Sequence, residues 1–150
     1  MVATLLLNII TIKADEISMF YDMFMSHGSI MYMVDIETGR FVDVNRAALS
    51  FYGYTRQEML SMYIYEINRL DPDIVKDAIK KASDREQTYF SIKHYTADNE
   101  KKFVNLYTYP VVLNERDVLF SVISDVTYER QLVNRNRWYL GIIIILILIK

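Results

Sequence analysis

Apolar positions along the chain change period twice, and the changes divide it into strand, helix and strand again. Met31 to Val34 and Phe41 to Val44 are short apolar-rich runs around a polar turn whose Gly39 can take positive φ, which predicts a hairpin. Helical spacing follows. Ala47, Ala48, Phe51 and Tyr52 share one face behind a cap at Asn45, Gly53 stops that helix, and Thr55 with Glu58 forms the capping-box pattern of a second. Met62 to Leu70 is mixed and predicts a short helical turn. Asp71-Pro72 then starts a longer helix, with Val75, Ala78, Ile79 and Ala82 on its buried face and an end near Lys81 or Ser83. Alternation returns in Thr88 to Tyr95, where Phe90, Ile92 and His94 oppose Tyr89, Ser91, Lys93 and Tyr95. The turns at Thr96 to Glu100 and Asn114 to Asp117 separate two further strands, Lys102 to Val112 and Val118 to Ser124. Helices lying between the second and third strands predict an α+β fold, with an antiparallel sheet covered on one side.

Both ends are more apolar than this middle. Val2 to Ile12 carries Thr4, Asn8 and Thr11, lacks a basic leader region, and is shorter than the ~20 residues of a membrane span, so the expectation is an apolar helix or partner contact. A truncated span is the alternative. Ile17, Phe20, Tyr21 and Phe24 then make one face of a helix over Asp15 to Ser26, ended by His27-Gly28-Ser29. That face suits either the core or a second subunit. At the other end, Trp138 to Ile149 is an unbroken apolar run behind Arg130, Arg135 and Arg137, the pattern of a cytoplasmic membrane boundary. A partial membrane helix is therefore expected over residues 138–149, with the folded domain on the inner face.

Two stretches carry a family resemblance. VDIETGRFVDVNRAALSFYGYTRQEML resembles the opening of a PAS domain, the sensor module of bacterial signalling proteins. Asp125-Val126-Thr127-Tyr128-Glu129-Arg130 is similar to that family's closing Asp-x-Thr-x-x-Arg signature. KHYTADNEKKFVNLYTYPV also matches, with Asp98-Asn99 where the family often has Asp-Gly, a change that keeps a residue tolerant of positive φ. The matches run from about Phe24 to Leu132. The resemblance implies a five-stranded antiparallel sheet in the order 2-1-5-4-3, short helices on one face, an N-terminal flanking helix and a C-terminal exit helix. It divides the chain into an extension over 1–26, a PAS domain over 27–127 and a signalling helix over 128–150. A homodimer through the flanking helices is a further implication.

The closing signature can be read physically. Asp125 or Thr127 can accept from the free amides that begin a helix, and Arg130, one turn on, is expected to reach the Asp125 carboxylate. The three residues are the candidate signal relay; the bland reading is a capped helix with a surface ion pair. By resemblance the long helix walls a ligand cavity lined by Val75, Ile79, Phe90, Ile92, Leu106 and Val122, with Asn45 and Tyr52 nearby. Most of the eight methionines are expected in the core.

Composition narrows the chemistry. At 150 residues and 52% apolar, the chain fills one domain, and its net charge of -2 gives no case for direct nucleic-acid binding. With no cysteine, flavin-cysteinyl photochemistry, thioester-linked chromophores and thiolate metal sites are excluded. No phosphate-cradling loop, HExxH or Gly-x-Ser-x-Gly motif occurs, and neither His27 nor His94 has neighbours at metal spacing. Haem-binding relatives place their ligand on the long helix, where this chain has Val75, Ala78 and Ile79. His94 is expected to be a buried strand histidine satisfied by a backbone partner, with a haem or flavin contact as the alternative. The leading expectation is a non-enzymatic sensor or relay module serving a histidine kinase or cyclic-dinucleotide enzyme. The alternatives are a ligand-free, membrane-tethered dimerisation unit and a small cone-shaped isomerase or dehydratase, for which His94 would have to face the cavity.

Overall fold

The computed structural model describes residues 18–113 and 115–148. Helix α1 is described over residues 18–26. It is followed by β1 (Ile30–Asp35), β2 (Phe41–Val44), α2 (Arg46–Tyr52), α3 (Arg56–Ser61), α4 (Ile64–Asn68), α5 (Pro72–Ser83), β3 (Tyr89–Tyr95), β4 (Lys101–Leu113), β5 (Arg116–Asp125) and α6 (Thr127–Leu148). All strand pairs are antiparallel, in the order β2-β1-β5-β4-β3. The expected sheet is therefore present, strand for strand.

The turn chemistry read from the sequence operates as physics requires. Gly39 and Gly53 take φ of 72° and 76°, and Gly53 closes α2 by donating its N–H to the Leu49 carbonyl. Asn99 takes φ of 67° at the β3–β4 turn, the conformation that Asp-Gly would otherwise supply. Thr55 and Glu58 form the reciprocal capping box of α3, and those hydrogen bonds hold the exposed Glu58 carboxyl below its ordinary value. Asp71 accepts from Asp73 N–H with Pro72 in the first turn of α5.

The core lies between the inner face of the sheet and α2 to α5. Tyr32, Val34, Val104, Leu106 and Ile123 from the strands meet Ala48, Tyr52, Met59, Ile64, Ile67 and Val75 from the helices. A smaller cluster on the outer face joins Phe24 to Met33 and Val118, with Phe120 6.2 Å from the Phe24 ring. Of the apolar face of α1, Phe24 is buried against the sheet while Phe20 and Tyr21 remain exposed, so only part of that face meets the core. The apolar run at residues 2–12 lies outside the described residues.

Asn45 ties the opening of the domain together. Its Oδ1 accepts from the amides of Ala48 (2.9 Å) and Met31 (3.1 Å), while its Nδ2 donates to the carbonyls of Ser29 (2.8 Å) and His27 (3.3 Å). One fully buried side chain thus caps α2 and fixes the entry to β1. Every donor and acceptor of its amide is used.

Candidate ligand cavity and exit-helix junction

A cavity of about 270 Å³ separates α5 from the inner face of the sheet. Val75 and Ile79 reach it from α5, Phe90 and Ile92 from β3, and Leu106 from β4, which are five of the residues expected there. Three others lie elsewhere. Val122 alternates with Ser121 and Ile123, whose side chains are buried on the inner face, so it belongs to the outer face. Asn45 spends its polar atoms on the cap described above. Tyr52 points its phenol at His94 instead, with Oη 2.7 Å from Nδ1.

Polar residues that periodicity alone did not single out complete the lining. Tyr32, Ser121 and Thr108 stand on one row across β1, β5 and β4, since Tyr32 pairs with Ser121 and Ser121 with Thr108. Ser121 Oγ donates to Thr108 Oγ1 at 2.9 Å, and Tyr32 stands beside Ser121 in the same row. Burial raises the Tyr32 phenol well above its ordinary value, with the neighbouring Ser121 side chain opposing, so the group stays neutral. Asn68 lines the opposite wall, its Oδ1 accepting from Leu70 N–H at 2.9 Å. The charged residues lining the cavity, Asp77 and Lys81, pair with each other at 2.6 Å on the exposed rim.

His94 does not line this cavity. It is fully buried on β3, and desolvation lowers its pKa from 6.5 to about 3. Its partner is the Tyr52 side chain, which corrects the expected backbone acceptor, and among the described residues its Nε2 has no partner. Burial likewise raises the Tyr52 phenol, so the pair is neutral across the physiological range. Among the described residues, no cluster of three or more His, Asp or Glu side chains could hold a metal ion.

The junction with α6 is built from Asp125, Val126 and Thr127. Asp125 Oδ1 accepts from Thr127 N–H (2.9 Å) and from its hydroxyl (2.5 Å). Thr127 Oγ1 in turn accepts from Phe103 N–H at 2.9 Å, and Val126 N–H donates to the Phe103 carbonyl at 2.9 Å. The first turn of the helix is thereby fastened to β4. Arg130 does not pair with Asp125 as expected. Its Nη2 donates to Ser91 Oγ at 2.6 Å and its guanidinium lies 5.7 Å from the Phe103 ring centre. The register explains this, because Asp125 pairs with Val104 and shares its face, whereas Ser91 and Phe103 are in the opposite phase of the pleat.

Fold, cavity and junction together define a class. The chain belongs to the PAS domain family, whose sequence model matches residues 29–128. It is similar to the PAS domain of an HTR-like protein from Haloarcula marismortui, with a TM-score of 0.68 at 19% identity over 77% of this chain and 95% of that one. The PAS domain of a two-component sensor histidine kinase gives 0.63 at 15% identity, over 75% and 98%. Among curated proteins, the diguanylate cyclase DgcM of Escherichia coli K12 is 26% identical over 112 residues, which cover 73% of this chain and 27% of that protein. The matched region is thus about a quarter of the length of that relative.

Proposed function

We propose that this chain is the sensory or relay module of a signalling protein: it takes a small molecule into the cavity beneath α5 and passes a conformational signal through α6, without catalysing a reaction itself. The observation that carries the reading is the fastening of α6. Two hydrogen bonds to Phe103 and one to Ser91 make β4 and β3, which also wall the cavity, the seat of the outgoing helix. A shift of those strands on filling the cavity is transmitted to the first turn of α6. The similarity to DgcM and to a histidine kinase PAS domain supports an output of diguanylate cyclase or kinase type. An isomerase-like enzyme has less support, since the histidine it requires is buried away from the cavity.

The test is native mass spectrometry of protein purified without denaturant, followed by hydrogen exchange on the loaded and stripped forms. The expected result is a co-purifying small molecule whose removal speeds exchange from Thr127 to Arg130. Identical exchange in that turn would remove the relay.

A second reading has its own observation. Tyr107, Tyr109 and Val111 leave an apolar strip of the outer sheet face exposed, and Met19, Phe20 and Met23 of α1 are exposed as well. These residues support a homodimer through the sheet and the flanking helix, with or without ligand. Sedimentation that finds only monomer at micromolar concentration would exclude it. Among the described residues no helix is long and apolar enough to cross a membrane. The exposed Trp138, Tyr139, Leu140 and Ile145 of α6, behind Arg135 and Arg137, support attachment of the domain to the inner face of a membrane.

A further inference from the structure

The inner face of the sheet is built in transverse rows, and one row differs from its neighbours. Val34, Leu119 and Pro110 form the row on one side, and Ile30, Ile123, Leu106 and Phe90 form the row on the other. Between these apolar rows run Tyr32, Ser121 and Thr108, three buried hydroxyls that all line the cavity. Burying hydroxyls among aliphatic rows is unfavourable unless each finds a partner. Within the row, Ser121 Oγ donates to Thr108 Oγ1 at 2.9 Å. That contact uses one of the three hydroxyl hydrogens, so O–H donors remain to be used.

The opposite wall presents the same kind of group. Asn68 has its Oδ1 engaged by Leu70 N–H, which leaves the Nδ2 hydrogens as neutral donors at the cavity. Formal charge is confined to the rim, where Lys81 and Asp77 neutralise each other. A carboxylate or ammonium carried beneath α5 would be desolvated with no opposite charge to meet it, at a cost well beyond that of a neutral polar group.

We propose that the cavity selects uncharged ligands with an apolar body and a hydrogen-bond-accepting oxygen of the carbonyl class, read by the Tyr32–Ser121–Thr108 row and Asn68. This rests on the sensor reading above and adds the chemical class of the ligand. A volume of about 270 Å³ equals roughly nine waters' share of liquid, which suits a chain or ring of modest size.

The experiment compares four probes of equal carbon count, namely 2-heptanone, heptane, heptanoate and heptylamine, by amide chemical-shift titration of the intact chain at neutral pH. The expected order is the ketone at least about tenfold tighter than either ion, a ratio equivalent to about 1.4 kcal/mol, and tighter than heptane. In a Thr108→Val, Ser121→Ala double variant, both partners become apolar at similar size, a change that is nearly neutral for stability. There the advantage of the ketone over heptane should shrink, with only the Tyr32 and Asn68 donors left at the cavity. Ala78→Phe, which fills the cavity from α5, should abolish binding of the ketone.

Heptanoate or heptylamine binding as tightly as the ketone to the wild-type chain overturns the ligand class and leaves the cavity as a binding site. This comparison needs no variant to fold. Ketone binding undiminished by Ala78→Phe, or no binding by any probe, overturns the cavity reading together with the class.

Discussion

His94 makes stability depend on pH in a way that can be measured. The native state holds the imidazole neutral, with a pKa of about 3 against 6.5 in the unfolded chain. Below pH 6.5 the unfolded chain takes up a proton that the folded chain refuses, so stability falls as pH falls and the loss continues towards pH 3. Between pH 7.5 and 5.0 the unfolded state gains about 2 kcal/mol from this one site, since each pH unit below 6.5 contributes about 1.36 kcal/mol. The control is His94→Phe with Tyr52→Phe, which removes the titrating group and the phenol that would otherwise be stranded; replacing both partners of a buried hydrogen bond is far milder than removing one. Urea unfolding of both proteins at the two pH values isolates the effect, because carboxylates contribute equally to each. The wild type should lose about 2 kcal/mol more than the double variant on acidification. A difference below about 0.5 kcal/mol, or a native-state imidazole titrating near the ordinary histidine value of ~6.5 by NMR, would refute the reasoning.

Three further outcomes are expected. Asn45→Ala removes a helix cap and leaves the Met31 amide and two carbonyls without their partner, so denaturant unfolding should show a loss of about 3 kcal/mol. Gly53→Ala places a Cβ at φ of 76°, and although the nearest atom, Ala97 Cβ, is at a comfortable 3.5 Å, the left-handed conformation alone should cost about 1 kcal/mol in the same assay. Thr127→Val strands the Phe103 amide; the domain should lose about 1 to 2 kcal/mol, and hydrogen exchange should quicken in the first turn of α6 while β1 is unchanged.

Much of the fold was legible because its punctuation is local. Asn45, Gly53, the Thr55–Glu58 box and Asp71-Pro72 each act on neighbouring backbone, and each stands where the sequence placed it. The cavity was half legible. Helical period and alternation give the inward faces that carry Val75, Ile79, Phe90 and Ile92, while the cavity itself, with Val122 in its lining, is what the resemblance implies; the β4–β5 register turns Val122 to the outer face. Tyr32, Thr108 and Ser121 were missed for the same reason. Each is a polar or amphipathic residue at an inward-facing position of its strand, a signal that becomes visible only once the strands are aligned. Arg130 and Asp125 are close in sequence, yet Arg130 reaches Ser91 and Phe103, which stand in the opposite phase of the pleat from Asp125, so helical spacing alone does not give the contact. His94 found a partner 42 positions away, which no local pattern records.

The anchoring of Val126 and Thr127 to Phe103 sets the rotational phase of α6 at its origin. Every later residue of the helix then has a fixed compass bearing relative to the sheet, advancing by roughly 100° per position. Inserting one residue after Arg130 would swing the far end, and anything joined to it, by that angle, while inserting seven would restore the bearing to within about 20°. The junction is thus keyed, and the direction in which the far end of the rod points depends on its length modulo its pitch.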